Sequence, residues 1–230
     1  MEDKVVVVTG AFGVLGHAVA SAFAKAGWRV AMVDLATEAP KALADAIGDQ
    51  GLAIGGCDLA DPDAAKAAIA SVVARFGAID ALINVAGGFV WETLADGSPG
   101  AWDRLYAINV KSCANMCRAA LSHLLASGGR IVNIGANGAL KAGAGMGAYA
   151  ASKSGVHRLT EALAEELKGR VAVNAVLPSI LDTPANRADM PKADFATWVA
   201  PAALAEIILF LASPAAGPIT GALLPVTGGV

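Results

Sequence analysis

Two side chains with complementary acid–base chemistry stand one helical turn apart. They are Tyr149 and Lys153, in the stretch Met146-Gly-Ala-Tyr-Ala-Ala-Ser-Lys153. On a helix, residues four apart share a face, so this phenol and ammonium can reach one ligand together. An unperturbed phenol titrates near pH ~10. A nearby positive charge favours the phenolate and lowers that value, which would let Tyr149 exchange a proton with a substrate near neutrality. The Tyr-x-x-x-Lys spacing alone is common by chance. Its weight comes from the segment that opens the same chain.

Val5-Val-Val-Val8 is a short apolar, β-branched run, the pattern of a strand buried on both faces of a parallel sheet. Thr9-Gly10-Ala-Phe12-Gly13-Val14-Leu15-Gly16 follows, and Ala18 to Lys25 reads as a helix. Strand, glycine turn and helix form the context of a dinucleotide site. The glycines let the backbone turn tightly and approach a pyrophosphate, whose charge then sits at the helix N-terminus. Arg29 to Val33 is a second buried strand, ending at Asp34. An acid about 20 residues past the glycines accepts hydrogen bonds from the adenosine ribose hydroxyls. The same carboxylate repels a 2′-phosphate, and no basic residue occupies Leu35 to Thr37 to welcome one. NAD(H) is therefore favoured over NADP(H), against the plainer reading of Asp34 as a turn cap.

These residues need a sheet to position them, and the chain supplies one. Ala53 to Cys57 leads to Asp58-Leu59; Ala64 to Phe76 is an alanine-rich helix; Ala81 to Asn84 is the next buried strand. Ala107 to Ala126 reads as helix, Gly129 to Ile134 as strand, Tyr149 to Lys168 as helix and Val171 to Leu177 as strand. Repeated βα units imply an α/β fold: a Rossmann-type, doubly wound parallel sheet flanked by helices on both faces. Its ligand site lies beyond the strand C-terminal ends, where Thr9, Asp34, Asp58, Asn84, Gly135 and Pro178 fall. At 230 residues, with no long linker, the chain is expected to form a single domain over 1–230.

Composition narrows the partners. A net charge of -3 without basic clusters argues against nucleic acid. Met1-Glu-Asp-Lys4 lacks the layout of a signal peptide. The uncharged stretch from Ile207 to Val230 is broken by Pro214, Gly217, Pro218, Gly221 and Pro225, so no membrane span is expected. Cys57, Cys113 and Cys117 form an odd set without Cys-x-x-Cys spacing, which suits packing in a reducing, cytoplasmic compartment. His17, His123 and His157 are scattered on separate helices and suggest no metal site; His157 reads as a packed helix residue. Hydrophobic residues make up 56% against 16% charged, an excess that buried strands and subunit contacts together would explain.

With these motifs in place, the chain resembles the short-chain dehydrogenase/reductase superfamily over essentially its whole length. The resemblance implies roles residue by residue. Asp58-Leu59 looks like the adenine-contacting pair, and Asn84-Val-Ala86-Gly87 like the Asn-Ala-Gly motif that steadies the sheet and approaches the cofactor. Asn109 resembles the asparagine that holds a water in the proton relay. Pro178-Ser-Ile180-Leu-Asp-Thr183 resembles the segment that contacts the nicotinamide carboxamide, with Ser179 replacing a glycine. Family members form tetramers or dimers through the helices after Asn109 and from Tyr149. Here those helices carry Cys113, Met116, Cys117, Val156, Leu159 and Leu163, which are apolar enough for a subunit contact or for covering their own sheet.

Two departures stand out. The second glycine of the family motif is replaced by Val14, with Gly13 one position earlier, and Ala136 stands where the family has a catalytic serine. Losing one such donor costs on the order of a hundredfold to a thousandfold in turnover. Both departures resemble the dihydropteridine reductases, whose quinonoid substrate accepts hydride without strong carbonyl polarisation. Further likenesses are Val85 to Gly88, Gly145-Met146, His157 and the 181–198 segment, whereas Asn109 looks more like ordinary dehydrogenases.

The expected activity is therefore an NADH-favouring reductase of a carbonyl or imine-like carbon in a small molecule. Tyr149 supplies the proton, Lys153 holds the ribose, and Asn109 links the relay to solvent. Alternatives are a dihydropteridine reductase and a catalytically silent nucleotide-binding protein. Asn137 is a candidate replacement donor beside Ala136. Phe89 and Trp91 are placed either to stack on a planar substrate or to pack on the 181–198 segment. Residues 181–200 read as a substrate lid.

Overall fold

In the computed structural model, which describes residues 4–229, Val5–Thr9 form the first strand, β1. The start of the chain at Met1-Glu-Asp3 and the final Val230 lie outside the described residues. Every residue of β1 is buried. Val5 and Val7 pack into one hydrophobic cluster and Val6 and Val8 into the other, as period-2 alternation requires of a strand covered on both faces.

The remaining strands are β2 (Arg29–Val33), β3 (Gly51–Ile54), β4 (Ala81–Asn84), β5 (Arg130–Ile134), β6 (Ala172–Pro178) and β7 (Leu223–Val226). They form one seven-stranded sheet in the order β3-β2-β1-β4-β5-β6-β7. Every pairing is parallel. β1 is bonded to β2 on one side and β4 on the other, so the chain reverses its direction of travel there. Neighbouring connections leave on opposite faces at that point, opening a crevice at the strand ends.

Helices α1 (Val14–Lys25), α2 (Lys41–Ile47) and α8 (Pro201–Ala212) cover one face; α3 (Pro62–Phe76), α5 (Ser112–Ser127) and α6 (Gly147–Glu166) cover the other. Short helices α4 (Pro99–Leu105) and α7 (Pro184–Asp189) lie in the connections. The boundaries of α3 follow its sequence: Asp61 accepts from Asp63 N–H at 2.9 Å, Pro62 opens the helix, and Gly77 closes it at φ 80°.

Two expectations need correction, and a third observation bears on packing. α1 begins at Val14 rather than Ala18, because the glycine turn is tight enough for His17 N–H to donate to the Gly13 carbonyl at 2.8 Å. The helix expected from Ala107 is interrupted: Tyr106–Lys111 is wound as a π-helix between α4 and α5. Finally, Cys113, Met116, Cys117 and Val156 are all buried within this one chain, and Leu159 and Leu163 pack on the same cluster. Those six side chains pack on their own sheet.

Candidate active site

The glycine turn is shaped by its lack of side chains. Gly10 has φ +61°, and a Cβ there would lie 2.8 Å from the Ala86 backbone, so β1 and β4 end in van der Waals contact. A Cβ on Gly16 would collide with the Gly10 carbonyl. Gly13, by contrast, faces open space apart from one ordinary contact at 3.5 Å. It is the N-cap of α1, without a side-chain cap and with no acid in the first turn. The orphan N–H groups of that turn are thus offered to an anion.

They border a cavity of about 440 Å³. Its walls are the glycine turn with Val14, Leu15 and Gly16, then Asp34 and Leu35 after β2, Asp58 and Leu59 after β3, and Val85, Ala86 and Gly87 after β4. The volume falls in the range of small-molecule and cofactor sites. Asp34 braces the turn: Oδ2 accepts from Phe12 N–H at 2.8 Å and Oδ1 from Ala36 N–H at 2.9 Å. Each carboxylate oxygen keeps a lone pair for a hydroxyl donor. Asp58 closes its own turn by accepting from Ala60 N–H at 2.9 Å. Asn84 does not line the cavity. Its amide donates to Asn133 Oδ1 at 2.9 Å inside the sheet, so its position supports the steadying half of its expected role. Cys57, read from sequence as packing alone, also reaches the cavity wall.

Beyond Gly87 the polar groups converge. Lys153 is buried, and its Nζ donates to the Ile134 carbonyl at 2.8 Å. Burial lowers its pKa to about 8, with the neighbouring Cys113 pulling weakly the other way. Asn109 sits in the π-wound turn, a geometry frequent at functional sites. Its Oδ1 accepts from Gly88 N–H at 2.9 Å, and its Nδ2 donates to Gly88 O at 3.1 Å and Ser152 Oγ at 2.9 Å. Ser152 in turn donates to the Tyr149 carbonyl at 2.8 Å. Tyr149 departs from the sequence expectation. Its phenol is raised to about 12 by burial rather than lowered.

Around Tyr149 the walls are aromatic. Phe89 meets its ring edge-on at a centroid distance of 4.8 Å. Trp91 lies against Gly145 and donates Nε1–H to the Ala144 carbonyl at 3.0 Å. Both rings stay more than half exposed, Phe89 at 55% and Trp91 at 60%. Ala136 is buried, and half-buried Asn137 opens the short 3-10 turn after it.

Pro178 ends β6, and the segment beyond it forms an arch with joined stems. Val199 N–H donates to the Ile180 carbonyl and Asp182 N–H to the Val199 carbonyl, each at 2.9 Å. Thr183 caps α7 by accepting from Asn186 N–H at 3.2 Å. Arg187 grips Asp182 through two bonds of 2.6 and 2.8 Å and lies 4.7 Å from the Phe195 ring centre.

A cleft at the reversal point of a doubly wound sheet, with the lysine of a Tyr-x-x-x-Lys helix behind its Gly87 wall, is the arrangement of a class of dinucleotide-dependent oxidoreductases. The profile of the short chain dehydrogenase family matches residues 4–194, and the chain belongs to that family. It is 39% identical over 242 residues to D-threitol dehydrogenase of Mycolicibacterium smegmatis, covering 100% of this chain and 93% of that one. Among solved structures, a short-chain dehydrogenase/reductase of Brucella melitensis described as a glucose/ribitol dehydrogenase superposes with a TM-score of 0.93 at 30% identity, over 100% of this chain and 97% of the other. A 3-ketoacyl-(acyl-carrier-protein) reductase of Brucella melitensis complexed with NADH gives 0.89 at 32% identity, over 99% and 98%. The protein is accordingly an NAD(P)-dependent short-chain oxidoreductase. Among the described residues no helix is long and apolar enough to cross a membrane, and no cluster of three His, Cys, Asp or Glu side chains is poised for a metal.

Proposed function

We propose that the protein is an NADH-favouring reductase of an electrophilic carbonyl or imine-like carbon, with Tyr149 as the proton donor. The supporting observation is that Lys153 and Asn109 stand behind Gly87, at the end of a cleft whose other end is lined by Asp34, with Tyr149 one turn before Lys153 and its ring against Phe89. Bound NADH supplies the hydride. The α1 N-terminus holds the pyrophosphate, with Gly10, Gly13 and Gly16 shaping the approach. Asp34 takes the adenosine ribose hydroxyls, and its charge opposes a 2′-phosphate. Asp58, Leu59 and Ala86 flank the adenosine half. Lys153 holds the second ribose, while Pro178, Ile180 and Thr183 meet the carboxamide. Asn109 links the relay to solvent, and residues 181–200 close over the bound pair.

A phenol raised to about 12 is fully protonated at neutral pH, which suits an acid in reduction better than a base in oxidation. Ala136 brings no hydroxyl to the substrate, so the reading favours a carbon that needs little polarisation. That observation keeps a quinonoid dihydropterin as the second reading, and exposed Phe89 suits a planar ring. The chain is further read as a cytoplasmic homodimer or homotetramer. Trp102, Tyr106, Phe210 and Leu224 are among the exposed apolar side chains that could serve subunit contacts.

Tyr149→Phe tests the assignment. Turnover of NADH with quinonoid dihydropterin and a panel of ketones should vanish, while NADH affinity by fluorescence titration stays within about twofold. A Phe variant with normal turnover would sink the reading.

A further inference from the structure

The C-terminal end of β5 and the turn after it are stitched to α6, the helix that carries Tyr149, by three side chains. Lys153 donates to the Ile134 carbonyl at 2.8 Å, and Ser154 Oγ to the Ala139 carbonyl at 3.0 Å. Between them the Ala136 N–H donates to His157 Nε2 at 3.2 Å. His157 is 2% exposed and one turn beyond Lys153 on the same helix face. Gly135 admits the ring, since a Cβ there would lie 2.5 Å from Nε2. Accepting an N–H requires an unprotonated Nε2. Burial, with Arg158 and Lys153 nearby, keeps the imidazole neutral by lowering its pKa to about 4.

The anchored peptide is the one that matters for substrate. Position 136 has no hydroxyl, so this wall offers only the Ala136 methyl and, one residue on, the Asn137 amide. Both are placed by the 135–136 peptide. An Ala136 N–H without its acceptor would be a buried unpaired donor, and the turn would rotate to satisfy it, carrying Asn137 along.

Resting on the reductase reading above, we propose that His157 is a positioning residue. Its ring accepts the Ala136 N–H and so fixes the 135–137 turn as a rigid wall against the substrate held by Tyr149. It acts through that turn and leaves the cofactor site alone.

The test compares His157→Leu, which lacks an acceptor, with His157→Gln, whose side-chain carbonyl can replace it. NADH affinity should stay within about twofold in both. With NADH and an aromatic 1,2-diketone, kcat should fall about tenfold to a hundredfold in the Leu variant with little change in KM, as expected for a misplaced wall. The Gln variant should recover most of that loss. Amide hydrogen exchange at Ala136 should quicken in the Leu variant and stay slow in the Gln variant, with β1 unchanged in both. Normal kcat in the Leu variant, or equal losses in both, overturns the proposal. If the wild type reduces no carbonyl at all, the reductase reading fails separately and exchange at Ala136 decides the anchoring. If the Leu variant does not fold, His157→Ala, which also lacks an acceptor, takes its place: faster exchange at Ala136 than in the Gln variant supports the anchor, and equal protection in the two overturns it.

Discussion

Placing a methyl group on Gly87 should dismantle the relay from the cofactor side. The new Cβ would lie 2.5 Å from Asn109 Oδ1 and 3.3 Å from Lys153 Nζ. Comfortable contact needs roughly 3.5 Å, so the Asn109 amide must retreat by about 1 Å. It has little freedom to do so, being held by bonds of 2.9, 3.1 and 2.9 Å to Gly88 and Ser152. A shift of that size takes two of these contacts beyond useful hydrogen-bond range. At about 1 kcal/mol each, with some added cost for the buried groups left unpaired, Gly87→Ala should lose roughly 2–3 kcal/mol of stability. For a chain of this length that lowers Tm by roughly 5–10 °C, measurable by calorimetry. Turnover should fall by about two orders of magnitude, because a displacement near 1 Å at positioned groups costs about that much. The decisive control is the double variant. With Asn109→Ala already in place the obstruction is gone, and the further stability cost of Gly87→Ala should shrink to under about 0.5 kcal/mol. A Gly87→Ala enzyme with normal Tm and kcat, or one whose penalty persists undiminished in the Asn109→Ala background, would refute the proposed geometry.

Other perturbations separate the parts of the site. Asp34→Ala removes the acceptor for Phe12 and Ala36 N–H, so NADH affinity should drop about tenfold or more and the NADH-over-NADPH ratio should narrow by a similar factor; an unchanged ratio would remove Asp34 from cofactor choice. Lys153→Met should abolish turnover yet stabilise the cofactor-free protein near pH 7. Burial lowers the folded-state pKa from 10.5 to about 8, so a penalty of about 3 kcal/mol is fully present below pH 8. Losing the bond to Ile134 offsets about 1 kcal/mol of the gain. The advantage should fade as pH rises from 8 towards 10.5, and urea titrations showing it grow over that range would contradict the sign. Ala136→Ser should raise kcat toward simple ketones by about tenfold to a hundredfold if carbonyl polarisation is what the site lacks; a fall, or no change, counts against that reading.

Much of this site could be read from the chain because its main parts are local. The buried valine run, the glycines after it and the acid ending β2 each lie within a few residues of a strand end, where sequence pattern and position coincide. Tyr149 and Lys153 needed only helical spacing. The π-wound turn was not legible, since Tyr106 to Lys111 carries an ordinary helical pattern; the bonds that tie Asn109 to Gly88 come from 21 residues away. His157 was read as packing because its acceptor role depends on an amide 21 residues distant and on Gly135 having no side chain.

The Tyr149 phenol shows how spacing along a helix can suggest the wrong electrostatics. Spacing placed a cation on the same helix face, and charge alone would lower the phenol's pKa. In the folded chain both groups are desolvated, and desolvation drives each toward its neutral form: the phenol up to about 12, the lysine down to about 8. The ammonium is meanwhile bonded to the Ile134 carbonyl, which holds it to β5. The pair is thus poised as a neutral acid beside a cation that gives up its proton easily, an arrangement that favours delivering a proton to substrate over removing one. Oxidation of an alcohol by this site should therefore accelerate with rising pH, while reduction should be flat through neutrality.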